Sequence, residues 1–313
     1  MLQRVPDPLF PLFTILLLVA CSSTSTQPAS TSRAASAAAP KMQGIAALFA
    51  GGPVYKKRET SISEIKKSGF THLIVWTIHV EANGDLGFNG EFPLVKDGQY
   101  IGDRIYPEFR VDMAALKQAP SSIERLEFAL SAAGSGTYGN IKRLANCEDS
   151  QCGLGTDSVL YRNFSALRAA FPGVDAINND DESVYDLATA VPFHAMLAAL
   201  GFKTSIAPYT NQSFWAGFVT ALNRSRPGSA DVAYLQVYDG GAGNDPCSSW
   251  QLGIPVVAGM WSKYTTPASA KGRLREWRAR CQLPGGFLWL YDEIVGTPLV
   301  NEYAEALRVS SSL

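Results

Sequence analysis

Short apolar or alternating runs recur along the body of the chain, at 44–49, 71–80, 126–132, 173–178, 204–208, 232–238, 254–261 and 286–291. Each has the length and punctuation of a strand. Between several of them apolar residues fall at helical spacing: Leu160, Phe164, Leu167 and Phe171; Phe214, Phe218 and Leu222; the stretch 187–200; and Leu274 with Trp277. Strand and helix alternating about eight times predict an α/β fold, a closed parallel (β/α)8 TIM barrel with its helices outside. A doubly wound open sheet is the alternative. Two departures stand out. Residues 239–253 hold turn formers and no room for an amphipathic helix, so the sixth helix is expected to be missing or reduced to a turn. The polar passage 81–110, with Gly84, Gly87, Gly90 and Gly98, reads as a hairpin-like insertion after the second strand, placed to wall a cleft at the catalytic end.

The N-terminal stretch is of a different kind. Arg4 precedes an apolar run from Leu9 to Ala20, too short to span a bilayer comfortably. Leu18-Val19-Ala20-Cys21 resembles the lipobox of bacterial lipoproteins, which makes 1–21 a signal peptide and Cys21 a lipidated first residue. An ordinary secretory signal is the other reading. No aspartate follows the cysteine, so the resemblance implies an outer-membrane anchor, with a periplasmic or secreted protein as the alternative. Residues 22–41 are Ser, Thr, Ala, Pro and Gln with almost no large apolar side chain, and so read as a disordered tether. The remainder, 42–313, suits one barrel domain.

The formal net charge of −1 and the lack of a basic run argue against a nucleic-acid partner. In a chain that leaves the cytoplasm, four further cysteines imply disulfides. Cys147 and Cys152 bracket a short polar loop, which leaves Cys247 and Cys281 for each other; metal binding is the weaker reading. His72, His79 and His194 form no ligand spacing with them. His79, alternating with Val75 and Thr77, reads as a strand-wall residue. No metal or cofactor is called for, and a monomer is expected.

The chemistry concentrates in 173–182, Gly-Val-Asp-Ala-Ile-Asn-Asn-Asp-Asp-Glu, which starts apolar and turns acidic where barrel enzymes place catalytic groups. In extended chain Asn178, Asp180 and Glu182 share one face and Asp181 takes the other. Neighbouring carboxylates raise one another's pKa, which suits Glu182 to act as a general acid near neutral pH. By itself such a run also fits a solvated turn or a calcium loop.

The segment resembles the Asp-Gly-x-Asp-x-Asp-x-Glu signature of glycoside hydrolase family 18, the chitinases and endo-β-N-acetylglucosaminidases. Asp175, Asp180 and Glu182 match, while Ala176 and Asn178 replace the glycine and the middle aspartate. Ser131 in Leu130-Ser131-Ala132-Ala133-Gly134 resembles the family's third-strand serine motif. Gln236-Val237-Tyr238-Asp239 is similar to its sixth-strand Gln-x-Tyr-Asp, and Gly286-Phe287-Leu288-Trp289 to its eighth strand. The resemblance implies substrate-assisted, retaining hydrolysis of β-linked N-acetylglucosamine-containing glycans. Glu182 would protonate the glycosidic oxygen, Asp180 would hold the acetamide N–H, and Tyr238 would steady the acetamide oxygen. Trp289 would stack on the sugar, and Asp175, Asn178, Gln236, Asp239 and Ser131 would bind substrate. Tyr209 and Trp261 are rim candidates. A lectin-like, non-cleaving glycan binder on the same barrel is the main rival, and a structural cell-envelope lipoprotein a third class.

Overall fold

The structure is a computed structural model that describes residues 44–130 and 136–308. Cys21, the leader, the whole of the expected tether and Ser131 lie outside the described residues.

The chain opens with β1 (Ile45–Ala50), α1 (Pro53–Lys56), α2 (Arg58–Lys67) and β2 (His72–Val80). The insertion follows as β3 (Leu86–Phe88), β4 (Phe92–Lys96) and β5 (Gln99–Tyr100), a meander hydrogen-bonded antiparallel to β2. Next come α3 (Phe109–Leu116), β6 (Arg125–Leu130), α4 (Thr137–Asn146), α5 (Val159–Ala170), β7 (Ala176–Asn179) and α6 (Leu187–Ala199). The last third is β8 (Lys203–Ile206), α7 (Gln212–Ser225), β9 (Ala230–Leu235), β10 (Val256–Trp261), α8 (Pro267–Arg280), β11 (Gly285–Trp289) and α9 (Leu299–Leu307).

Eight of these strands run parallel in the order β1-β2-β6-β7-β8-β9-β10-β11, and β1 pairs with both β2 and β11, so the sheet closes. All eight expected strands are present, and the open-sheet alternative fails on that closure. Between β9 and β10 only a 3-10 turn at Asp239–Gly241 stands where a sixth helix would be. The helices bury their apolar faces against the outside of the barrel. Phe164 and Leu167 of α5, Phe218 and Leu222 of α7, and Leu274 of α8 are all buried. Side chains stop two of these helices from fraying at their starts: Ser158 caps α5 through Tyr161 N–H, and Thr266 caps α8 through Ser269 N–H.

The insertion does not wall the cleft as expected. It packs sideways, where Phe88 and Phe92 meet Tyr55 and Phe109 edge-on or tilted. It buries apolar rings against the barrel flank because its alternating face is aromatic. Two disulfides, Cys147–Cys152 and Cys247–Cys281, have Cα atoms 5.5 Å apart in each case. The second ties the loop that replaces the sixth helix to the end of α8. His72 and His194 are buried and hydrogen-bonded to Tyr234 and Thr204, and half-buried His79 sits in the β2 wall opposite Gly87.

Candidate active site

At the C-terminal ends of the strands lies an open cleft of about 360 Å³, lined among others by Asp180, Glu182, Gln236, Tyr238, Asp239 and Trp289. These six expected residues are therefore brought together from three strand ends. Tyr209 and Trp261 reach the same cleft.

The acidic pair is positioned by its own backbone. As β7 ends, Asp181 turns away from the cleft, and its buried carboxylate accepts the N–H groups of Ser183, Val184 and Tyr185 at 2.8–3.0 Å. That turn holds Glu182 where the chain would otherwise run on. The N–H of Asp180 is donated to the Tyr138 hydroxyl at 2.8 Å. Across the cleft the Gln236 amide nitrogen lies 3.3 Å from Asp180 Oδ1, 3.1 Å from Glu182 Oε1 and 3.1 Å from the Ala207 carbonyl. One NH2 group has two protons for these three acceptors. Gln236 thus ties the two carboxyls together.

Burial pushes the Asp180 carboxyl well above its ordinary range, and the charges of Glu182 and Asp181 add to the shift. Glu182 is also pushed up, chiefly by burial; the Gln236 bond opposes this and Asp181 and Asp239 assist it. Two such groups sharing one donor titrate together, and the site is built to hold a proton that either can carry. The Tyr238 phenol is raised by burial and by the same carboxylates, which keeps it a neutral donor.

The floor is aromatic. Trp289 lies 5.2 Å from Trp76 and 5.7 Å from Phe49, ring centre to ring centre, and Tyr238 leans on Phe287 and Trp261. Gly51 makes room for this arrangement: a Cβ there would stand 2.7 Å from the Trp76 ring, and its N–H is donated to Asp292. An apolar floor beside a polar acidic edge suits a sugar ring, which has one face of C–H bonds and a rim of hydroxyls. Among the described residues no cluster of three or more His, Cys, Asp or Glu could hold a metal ion.

Two expected substrate contacts are elsewhere. Asp175 precedes β7 at the opposite rim of the barrel, where Lys117 pairs with it at 2.7 Å and the Leu126 N–H is donated to it. It is not brought to the cleft, because a parallel strand carries its first and last residues to opposite ends. Asn178 is wholly buried beneath the cleft, its amide donating to Ser205 at 2.8 Å. Phe49, Phe287, Trp76 and Tyr138 were not among the expected site residues. Phe287 was within reach, since it stands two residues before Trp289 on the same strand face.

No protein-family model matches the sequence, and no curated protein is similar to it at the sequence level. Solved structures are similar in fold. The catalytic domain of a family GH18 chitinase from the fern Peteris ryukyuensis shares 15% identity, covering 84% of this chain and 97% of that one, with a TM-score of 0.55. A chitinase from Bacteroides thetaiotaomicron shares 12% identity over 85% and 96%, also at 0.55. The spore cortex-lytic enzyme SleL of Bacillus cereus shares 10% over 86% and 75%, again at 0.55. The chain therefore has the closed barrel fold of the family 18 chitinases, with its acidic segment at the strand ends of that barrel.

Proposed function

We propose that this protein is a glycoside hydrolase of the family 18 kind, cleaving β-linked N-acetylglucosamine-containing glycans with retention of configuration. The observation that carries the reading is the Gln236 amide bridging Asp180 and Glu182 above the Trp289 floor. Two carboxyls joined by one amide nitrogen suit a scheme in which the substrate's own acetamide oxygen attacks the anomeric carbon. Glu182, raised in pKa, gives its proton to the glycosidic oxygen as that bond breaks. Asp180 accepts the acetamide N–H and so holds the acetamide oriented for attack, with the Tyr238 hydroxyl toward the acetamide oxygen. Water then opens the ring, returning its proton to Glu182.

Chitin oligosaccharides, peptidoglycan and N-linked glycans all present the required acetamido sugar, and incubation with each, followed by mass spectrometry of products, identifies the substrate. Glu182→Gln is expected to remove product formation by at least about a thousandfold while leaving the melting temperature unlowered. Hydrolysis that survives this change overturns the mechanism. The replacement of a motif aspartate by Asn178 favours a second reading, a glycan-binding protein that no longer cleaves. Binding of chito-oligosaccharide by the wild type without product is its signature. The leader and Cys21 support an exported, lipid-anchored protein, which metabolic labelling with a fatty-acid analogue tests, Cys21→Ser serving as the unlabelled control.

A further inference from the structure

Below the cleft the barrel interior is divided. One part is apolar, built of Phe49, Ile74, Val257 and Phe287. The other holds a hydrogen-bonded chain centred on Glu127 of β6, which is fully buried and takes no part in the proposed chemistry. Its carboxylate is paired with Arg125 Nε at 2.5 Å and receives the Tyr234 hydroxyl at 2.8 Å and the Ser205 hydroxyl. An ion-paired carboxylate only accepts. Ser205 must therefore spend its one proton on Glu127, and it offers Asn178 nothing but lone pairs.

Asn178 answers with its NH2, donated to Ser205 Oγ at 2.8 Å. The planar amide is thereby locked, with Oδ1 directed away from Ser205, buried and without a hydrogen-bond partner. A buried acceptor left unpaired is rare in a folded protein. Asp180 stands two residues on, just past the end of β7 at Asn179, and lines the cleft above.

We propose that Glu127, acting through Ser205, is a positioning residue that fixes Asn178 as a hydrogen-bond acceptor for Asp180, so that the barrel selects the protonated form of Asp180. The missing motif aspartate is thus replaced by a one-way chain that needs no second titrating group. The proposal rests on the hydrolase reading only for its consequence in catalysis. The groups that face Asp180 agree with it. Glu182 and Asp181 from its own segment are acidic, the phenols of Tyr138 from α4 and Tyr238 beyond β9 are neutral, and Gln236 occupies its other side. Burial and the neighbouring charges push the Asp180 carboxyl in the same direction.

The chain's polarity gives the test its sign. In Glu127→Gln, Ser205 is released from donating downward and can donate to Asn178, whose amide turns its NH2 toward Asp180 and favours the ionised form. Ser205→Ala cuts the link. Ser205→Thr keeps the hydroxyl. Carboxyl 13C NMR titration of the full chain, with Asp180 assigned by Asp180→Asn, is expected to show its midpoint lowered by about one pH unit, tenfold in proton affinity, in E127Q and S205A but not in S205T. Folded E127Q and S205A proteins with the wild-type midpoint overturn the proposal, and S205A decides alone where E127Q does not fold. The titration needs no turnover, so a wild type that releases no product sinks the hydrolase reading without touching this one. If product is released, the pH profile of kcat shifts with the midpoint while KM stays near its wild-type value.

Discussion

At the scale of single residues, the cleft trades stability for chemistry. Asp180 holds its proton more tightly in the folded chain than in the unfolded one, where a carboxyl titrates near its ordinary value of about 3.9. Its contribution to stability is then complete below about pH 4 and is lost as pH rises through the folded value. Asp180→Asn removes that loss. The variant is expected to be inactive yet more stable than the wild type by about 1 kcal/mol at pH 7, an advantage that disappears near pH 4. Urea unfolding at the two pH values checks this, and a D180N protein less stable than the wild type at pH 7 refutes it. Gly51 makes the complementary case for geometry. A methyl group there meets Trp76 and pushes it against Trp289. Gly51→Ala is expected to weaken oligosaccharide binding about tenfold or more, measured by calorimetry, while Asp180 and Glu182 keep their titrations.

At the scale of elements, the pattern of apolar runs was nearly sufficient. Eight strands, the meander after β2 and the shortened connection after β9 were all legible, because a buried parallel strand needs a continuous apolar stretch and a turn needs glycine. The walls of the cleft were less so. Which side of a strand faces the mouth depends on how the barrel closes, and that is not written in any one segment. Phe49 and Trp76 look like ordinary core residues, and Tyr138 enters through a helix. Asp175 shows the converse error: it matches a motif letter, but it stands before β7 and is spent on Lys117. Asn178 was legible as a departure, whereas the chain beneath it was not, since Glu127, Ser205 and Asn178 come from three strands. The connection after β9 lacks a helix to hold it, and the Cys247–Cys281 disulfide, spanning 34 residues, takes that place. Loop-closure entropy assigns it about 4 kcal/mol, against about 2 kcal/mol for Cys147–Cys152, which spans 5. The Cys247→Ser/Cys281→Ser double variant should accordingly lose more melting temperature than Cys147→Ser/Cys152→Ser. Equal losses in calorimetry would show that the loop is held by something else.

At the scale of the whole molecule, buried ionisable groups set opposing slopes on stability. His72 and His194 are held neutral, lowered to about 3 in both cases, His194 by burial and His72 by burial reinforced by Arg125. Below about pH 6.5 the unfolded chain takes up protons at these two positions and the folded chain does not. Stability therefore falls as pH drops from 6.5 toward 3, by up to about 1.4 kcal/mol per pH unit for each histidine. The raised carboxyls act in the other sense. Asp180 and Glu182 in the cleft, Asp292 behind Gly51 and Asp231 at the far rim all favour the folded state at low pH and lose that favour as pH rises. The two slopes oppose one another between about pH 4 and 6.5, so the acid fall is shallower there than below pH 4, where the raised carboxyls no longer oppose it and the lowered carboxyls of Asp186 and Asp245 add to it. His194→Asn keeps a polar group toward Thr204 and deletes one titration. Its stability, whatever its value at neutral pH, is expected to decline less on acidification, the gap to the wild type narrowing by about 2 kcal/mol or more between pH 6.5 and 4. Parallel stability curves for the two proteins across that interval would show that His194 is protonated alike in folded and unfolded chains, and that the acid side of the curve has another origin.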